Sequence, residues 1–108
     1  MSIEQHDSII QILQNCVKTC NECFTACLKE NDVTMMAECI RLDRECAEVC
    51  GLLEQFLSRG SQFSAELAAL CAKICEACAS ECIQHEHEHC QQCATLCLAC
   101  AEACRSIA

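Results

Sequence analysis

The chain has 108 residues and a formal charge of −9, from 16 acidic and 7 basic side chains. That length fits one small domain, residues 1–108, and that charge disfavours nucleic acid or an anionic membrane surface as a partner. With 16 cysteines, no Pro, Trp or Tyr, two Gly and three Phe, the chain favours long helices around a core of small side chains.

The first helix is predicted from about Ile3 to Glu30. Ile9, Leu13, Cys16, Cys20, Cys23 and Cys27 form one continuous stripe on it, because steps of three and four residues stay on one helix face. A second stripe, Ile3, Ile10, Val17 and Phe24, repeats every seven residues. It suits a bundle helix with a neighbour on that side, or a face turned to another subunit. The same N-terminal stretch, MSIEQHDSIIQILQNC, has no basic leader, long apolar run or twin arginine. It therefore does not read as a secretory signal, and a cytoplasmic location is expected. No apolar run reaches the roughly 20 residues of a membrane span.

Asn31 and Asp32 are good N-cap residues and are expected to end the first helix and start the second, from about Val33 to Ser58. Its inner face carries Cys39, Cys46 and Cys50, followed by Leu53 and Leu57. Gly51 inside it costs about 1 kcal/mol relative to Ala and is expected where helices approach closely. At about 100° per residue, Asp43 lies about 40° to one side of the cysteine direction and Leu42 about 60° to the other, so either can face inward. An inward Asp43 would be a ligand or a partner for a cation; an outward one would pair with Arg41 or Arg44. Arg59-Gly60-Ser61 reads as a helix C-cap and turn.

The third helix is predicted over about Gln62 to Gln84 and the fourth over about His87 to Ser106. The link between them lacks Gly and Pro, but one continuous helix through both would be far longer than ordinary globular helices. Four helices with short links give an all-α, antiparallel up-down four-helix bundle with a cysteine-lined core. Nine cysteines lie between Cys71 and Cys104. The spacing C-x3-C-x2-C-x3-C occurs at Cys16, Cys20, Cys23 and Cys27, again at Cys71, Cys75, Cys78 and Cys82, and again at Cys93, Cys97, Cys100 and Cys104. Cys90 precedes the last run, behind the segment HEHEH.

Thiols at helical spacing point alongside one another, so a disulfide between neighbours would staple a single turn. In a reducing compartment such dense free thiols imply metal. Cysteine as a small hydrophobe accounts for one or two buried thiols, not for 16, since Ala or Val would fill the space without redox liability. Structural zinc and iron–sulfur sites favour loop-borne cysteines. Cu(I) is soft, prefers thiolate and thioether, and accepts low coordination. Sixteen thiolates with about as many Cu(I) ions also leave the interior neutral, whereas buried net charge is costly.

The three C-x3-C-x2-C-x3-C runs and the HEHEHC segment make the chain resemble the cytosolic bacterial copper storage proteins. That resemblance spans Cys16 to Cys104. It implies many Cu(I) ions held by cysteines inside the bundle, and a homotetramer. Independently, an up-down bundle gathers Met35, Met36, His85, His87 and His89 at one end, near Cys27, Cys39, Cys82 and Cys90. Leu57, Phe56, Phe63 and Ile107 collect at the other. The first end is expected to be the mouth for copper. His85 best continues the stripe of the third helix, and His87 fits that of the fourth poorly. Each histidine is otherwise a solvated side chain, and each methionine a core filler. His6 is expected at the surface near the greasy end.

The expected function is therefore Cu(I) storage rather than catalysis, with a copper chaperone as candidate donor. No Ser/His/Asp set, phosphate loop or open three-ligand zinc site is visible. The alternatives are a metallothionein-like zinc or mixed-metal buffer and a thiol redox sensor.

Overall fold

The computed structural model describes residues 3–108. Four helices run in chain order: α1 (Ile3–Leu28), α2 (Ala37–Arg59), α3 (Ser64–Cys82) and α4 (Glu88–Arg105). Each packs on its chain neighbours, and α4 closes back onto α1, while the backbones of helices across the diagonal stay apart and meet only through side chains on the axis. This is the up-down bundle, with dimensions of 45 × 19 × 18 Å. No strand occurs among the described residues, and no helix there is long and apolar enough to cross a membrane.

The core follows the stripes. All 16 cysteines are buried and free, and at one end Ile9, Leu13, Leu53, Leu57 and Ala68 continue the buried seam. Ile10 and Val17, of the second α1 stripe, lie half-buried against this core. Phe24, also half-buried, sits beneath the Arg44 guanidinium at 6.0 Å. That stripe therefore packs along the α1–α2 seam; the Ile3 side chain lies outside the described residues.

Three local details depart from expectation. The second helix does not begin at Val33, because Val33–Met36 forms a 3-10 turn and α2 begins at Ala37. Asp32 precedes that turn without making a side-chain cap; its carboxylate faces His87 instead. Gly51 serves no close helix approach, since a Cβ there would meet nothing within 4 Å. Gly60 does what a C-cap requires: its φ of 68° is left-handed, and its N–H donates to the Leu57 carbonyl.

The α3–α4 link breaks the helix without Gly or Pro. Gln91 donates from its side-chain amide to the carbonyls of Ile83 and His85. Ile83 is the C-cap of α3 and its carbonyl is one a helix end leaves unpaired, while His85 lies in the turn beyond, so one α4 side chain ties the end of α3 to the link.

Candidate metal centre

The four inward stripes place their sulfurs in one column along the bundle axis. Nearest the apolar end, Cys50 Sγ lies 3.7 Å from both Cys71 and Cys100, with Cys104 beside Cys71 and Cys100. One level up, Cys46 lies 3.6 Å from Cys75 and 3.9 Å from Cys16 and Cys97. Cys20 then touches Cys97 at 3.7 Å and Cys93 at 3.8 Å. Cys39 meets Cys82 at 3.3 Å and Cys27 at 3.9 Å. Cys23, Cys27 and Cys90 close the column at the far end, with sulfurs 3.8–3.9 Å apart.

These contacts join different helices as well as successive turns of one helix. Quartets whose sulfurs all lie within 4.8 Å include Cys16/Cys46/Cys50/Cys75, Cys16/Cys20/Cys46/Cys97 and Cys20/Cys78/Cys93/Cys97. Two more are Cys23/Cys27/Cys39/Cys90 and Cys50/Cys71/Cys75/Cys100. Metal–thiolate bonds of about 2.3 Å place sulfurs about 3.8–4.0 Å apart in three- or four-coordinate sites. The spacing is thus already that of a metal–thiolate cluster. Four of these five overlap in series, sharing first Cys50 and Cys75, then Cys16 and Cys46, then Cys20 and Cys97, so adjacent sites can share sulfurs.

Among the described residues Asp43 is the one buried charged side chain, with no exposed surface. Its Oδ1 accepts from the thiols of Cys78 (3.3 Å), Cys93 (3.4 Å) and Cys82 (3.5 Å), and Cys39 reaches Oδ2 at 3.9 Å. It therefore does not pair with Arg41 or Arg44, which bind Glu38 and Glu48. Burial, then the charges of Cys93, Cys39 and Cys78, push its carboxyl up to about 10, so the metal-free protein holds it neutral. The sequence carried a signal for this. Cys39-x3-Asp43-x2-Cys46-x3-Cys50 is the same ladder as the other three runs, with Asp in a Cys position. Leu42, its rival for the interior, is half-buried at the edge.

At the mouth the histidines separate. His89 Nδ1 lies 3.4 Å from Cys23 Sγ, 3.5 Å from Cys90 and 3.9 Å from Cys27. Its Nε2 faces the Glu30 carboxylate at 2.8 Å. His87 lies between Glu30 and Asp32 and touches no sulfur. His85 is tied to Glu81 at 2.7 Å. It does not extend the α3 stripe, because α3 ends at Cys82. Met36 is fully buried in the core, whereas Met35 is 74 % exposed. His6 is half-buried on α1, and at the apolar end Phe63 is 54 % exposed and so not part of the seal. Burial raises both mouth thiols, with Cys39's charge the next cause for each: Cys27 upward, Cys90 to about 12. In the metal-free protein they are thiols, and each ion that binds must displace protons. Glu30 and Gln91 did not stand out in the sequence; the acidic turn Glu30-Asn31-Asp32, opposite HEHEH, was the available cue.

The comparisons agree with this architecture. A protein of Bacillus subtilis (strain 168) described as the uncharacterized cysteine-rich protein YhjQ is 50% identical over 107 residues, 98% of this chain and 99% of its own. The Cu(I)-bound copper storage protein BsCsp3 superposes with a TM-score of 0.92 at 49% identity, covering 96% of this chain and 98% of that one. A cytosolic copper storage protein from Streptomyces lividans, solved with five coppers, gives 0.93 at 35% identity over 96% of this chain and 92% of that one. The sequence profile described as copper storage protein (Csp) matches residues 2–108, and the chain belongs to the copper storage protein family.

Proposed function

We propose that the protein stores Cu(I), about one ion per cysteine, along the thiol column and catalyses no reaction. The supporting observation is the column of 16 buried sulfurs across all four helices, most of it in overlapping quartets. Charge selects the ion. A divalent metal in separate quartets leaves two negative charges at each site, whereas Cu(I) balances one thiolate with one ion, and uncompensated buried charge is costly. The ligands are the 16 cysteines, with Asp43 beside Cys78, Cys82 and Cys93. His89 joins them at the mouth, where its Nδ1 faces three sulfurs. Met36 supplies a buried thioether at that end, while Met35, His85 and His87 stand outside the column.

Copper passes in at the His89 end, because the other end is sealed by leucines. The whole chain acts as one storage domain in the cytoplasm, assembled as a homotetramer and supplied by a copper chaperone. The cytosolic description of the Streptomyces lividans relative supports the location.

The test is anaerobic titration of reduced, metal-free protein with Cu(I) and, separately, Zn(II), followed by metal analysis. Storage predicts roughly one copper per cysteine and displacement of zinc by copper. Saturation near one copper per chain, or zinc retained against excess Cu(I), overturns the proposal.

A further inference from the structure

The turn after α1 and the turn before α4 bring two imidazoles onto one carboxylate. Glu30 Oε2 lies 2.8 Å from His89 Nε2 and 3.2 Å from His87 Nδ1. The opposite nitrogen of His87, Nε2, faces Asp32 Oδ1 at 3.3 Å. The two rings lie parallel, with centroids 5.4 Å apart. All four side chains are partly open to water, from 23% exposed at His89 to 50% at Asp32. The thiol column engages this group only through the far nitrogen of His89.

We propose that Glu30, His87 Nδ1 and His89 Nε2 form a site for a divalent cation of the zinc class, outside the thiol column. The donor set differs in kind from the column. Two imidazoles and a carboxylate suit borderline divalent ions, whereas Cu(I) prefers the sulfurs within. Three protein ligands leave a fourth position for water, the usual form of an open zinc site. Ligand atoms about 2.0–2.1 Å from a tetrahedral ion stand about 3.3–3.4 Å apart. The observed 2.8 and 3.2 Å therefore open by small side-chain rotations.

Asp32 has a separate part. By accepting from His87 Nε2–H it fixes the tautomer that leaves Nδ1 bare, the usual carboxylate–histidine–metal arrangement. Charge also closes, since Glu30 and Asp32 together balance a dication. The ion replaces the N–H protons that hold the metal-free cluster together. His89 serves in turn: with Nε2 on the divalent ion, Nδ1 carries the ring proton toward Cys23 and Cys90, so the ring holds this ion or a passing Cu(I), not both at once.

The proposal rests on Cu(I) storage only in that copper occupies the thiolates during the test. Protein loaded with Cu(I) and freed of excess copper is titrated anaerobically with Co(II). The expected result is one Co(II) per chain, with visible bands of nitrogen–oxygen ligation, no sulfur-to-cobalt charge-transfer band and no copper released. Glu30→Gln and His87→Ala each weaken binding by about tenfold or more. Glu102→Gln, exposed near the other end of α4, leaves it unchanged. Absence of binding overturns the proposal, as does a sulfur-to-cobalt band with release of copper, or equal binding by wild type and both variants. Failure of copper loading shows in the first titration and counts against storage alone. In that event the same Co(II) titration of reduced, metal-free protein, read as wild type minus Glu30→Gln, still decides the outer site.

Discussion

Beyond Cys16 and Cys50 the inward stripes run into Leu13, Leu53 and Leu57, all buried. Beyond Cys23, Cys27 and Cys90 they run into His89, then Glu30. The helical spacing is the same at both ends, and only the side chains differ. Leucine offers a soft cation no ligand and water no partner, so that end closes by packing alone. Imidazole and carboxylate offer ligands in series from solvent to sulfur. A symmetrical bundle thus acquires a direction from a few changes in a repeated stripe: one end holds the helices together and the other carries the ligands of the proposed mouth.

The sharpest way to break this comparison is to damage each end and read both properties. Leu53→Ala is expected to cost about 2–5 kcal/mol, because it removes a fully buried side chain and leaves a cavity. His89→Ala, at a half-open site, is expected to cost less than about 1 kcal/mol. Urea unfolding of reduced, metal-free protein measures both. Comparable losses would mean that stability is not concentrated at the apolar end.

Asp43 tests what lies between the ends. Folded, its carboxyl stays protonated up to about 10; unfolded, it ionises near an ordinary carboxylate value of about 3.9. Between those values the native state binds one more proton, so its stability falls as pH rises, by about 1.4 kcal/mol per pH unit from this group. The contribution is complete below the unfolded value and is lost as pH climbs through the window. Asp43→Asn should flatten the dependence between pH 5 and pH 8. An unchanged slope in urea unfolding of the metal-free variant would show that the carboxyl is ionised after all.

A smaller effect is expected on rates. His89→Ala should slow Cu(I) transfer from a chromophoric chelator several-fold and leave final capacity nearly unchanged, while His85→Ala, which removes only the partner of Glu81, should leave the rate alone. Stopped-flow traces that reverse this order would move the route in to the α3 side of the mouth. The smallest change is Cys75→Ser, which should remove about one copper, since neighbouring quartets share sulfurs. Loss of most of the capacity would instead reveal a single cluster built around that thiol.

The bundle and its thiol stripes were legible because helical period and cysteine spacing coincide, and burial follows directly from period. Asp43 is ambiguous by helical angle, standing to one side of Cys39, Cys46 and Cys50, and only the four-, three-, four-residue ladder shared by all four helices marks it as an inward position. The mouth was legible only as a neighbourhood. Which histidine reaches sulfur depends on where α3 ends and how the link turns. That in turn depends on Gln91 tying off two carbonyls, a tertiary contact with no periodic signature. The two methionines differ for the same reason: a 3-10 turn over Val33–Met36 rotates Met36 inward and Met35 out.

The sulfur spacing has a consequence for the cell. If copper fills quartets that already stand at metal–thiolate spacing, the helices need little movement, and an empty bundle and a full one would then present the same outer surface. A protein that reports its ligand needs two shapes that the ligand weighs differently; here a single shape serves every degree of filling. In that case no partner could read the copper content by touching the outside. Deposit and withdrawal would then be governed by the free copper level and by whatever competes for it at the proposed mouth, and the stock would stay silent until drawn upon.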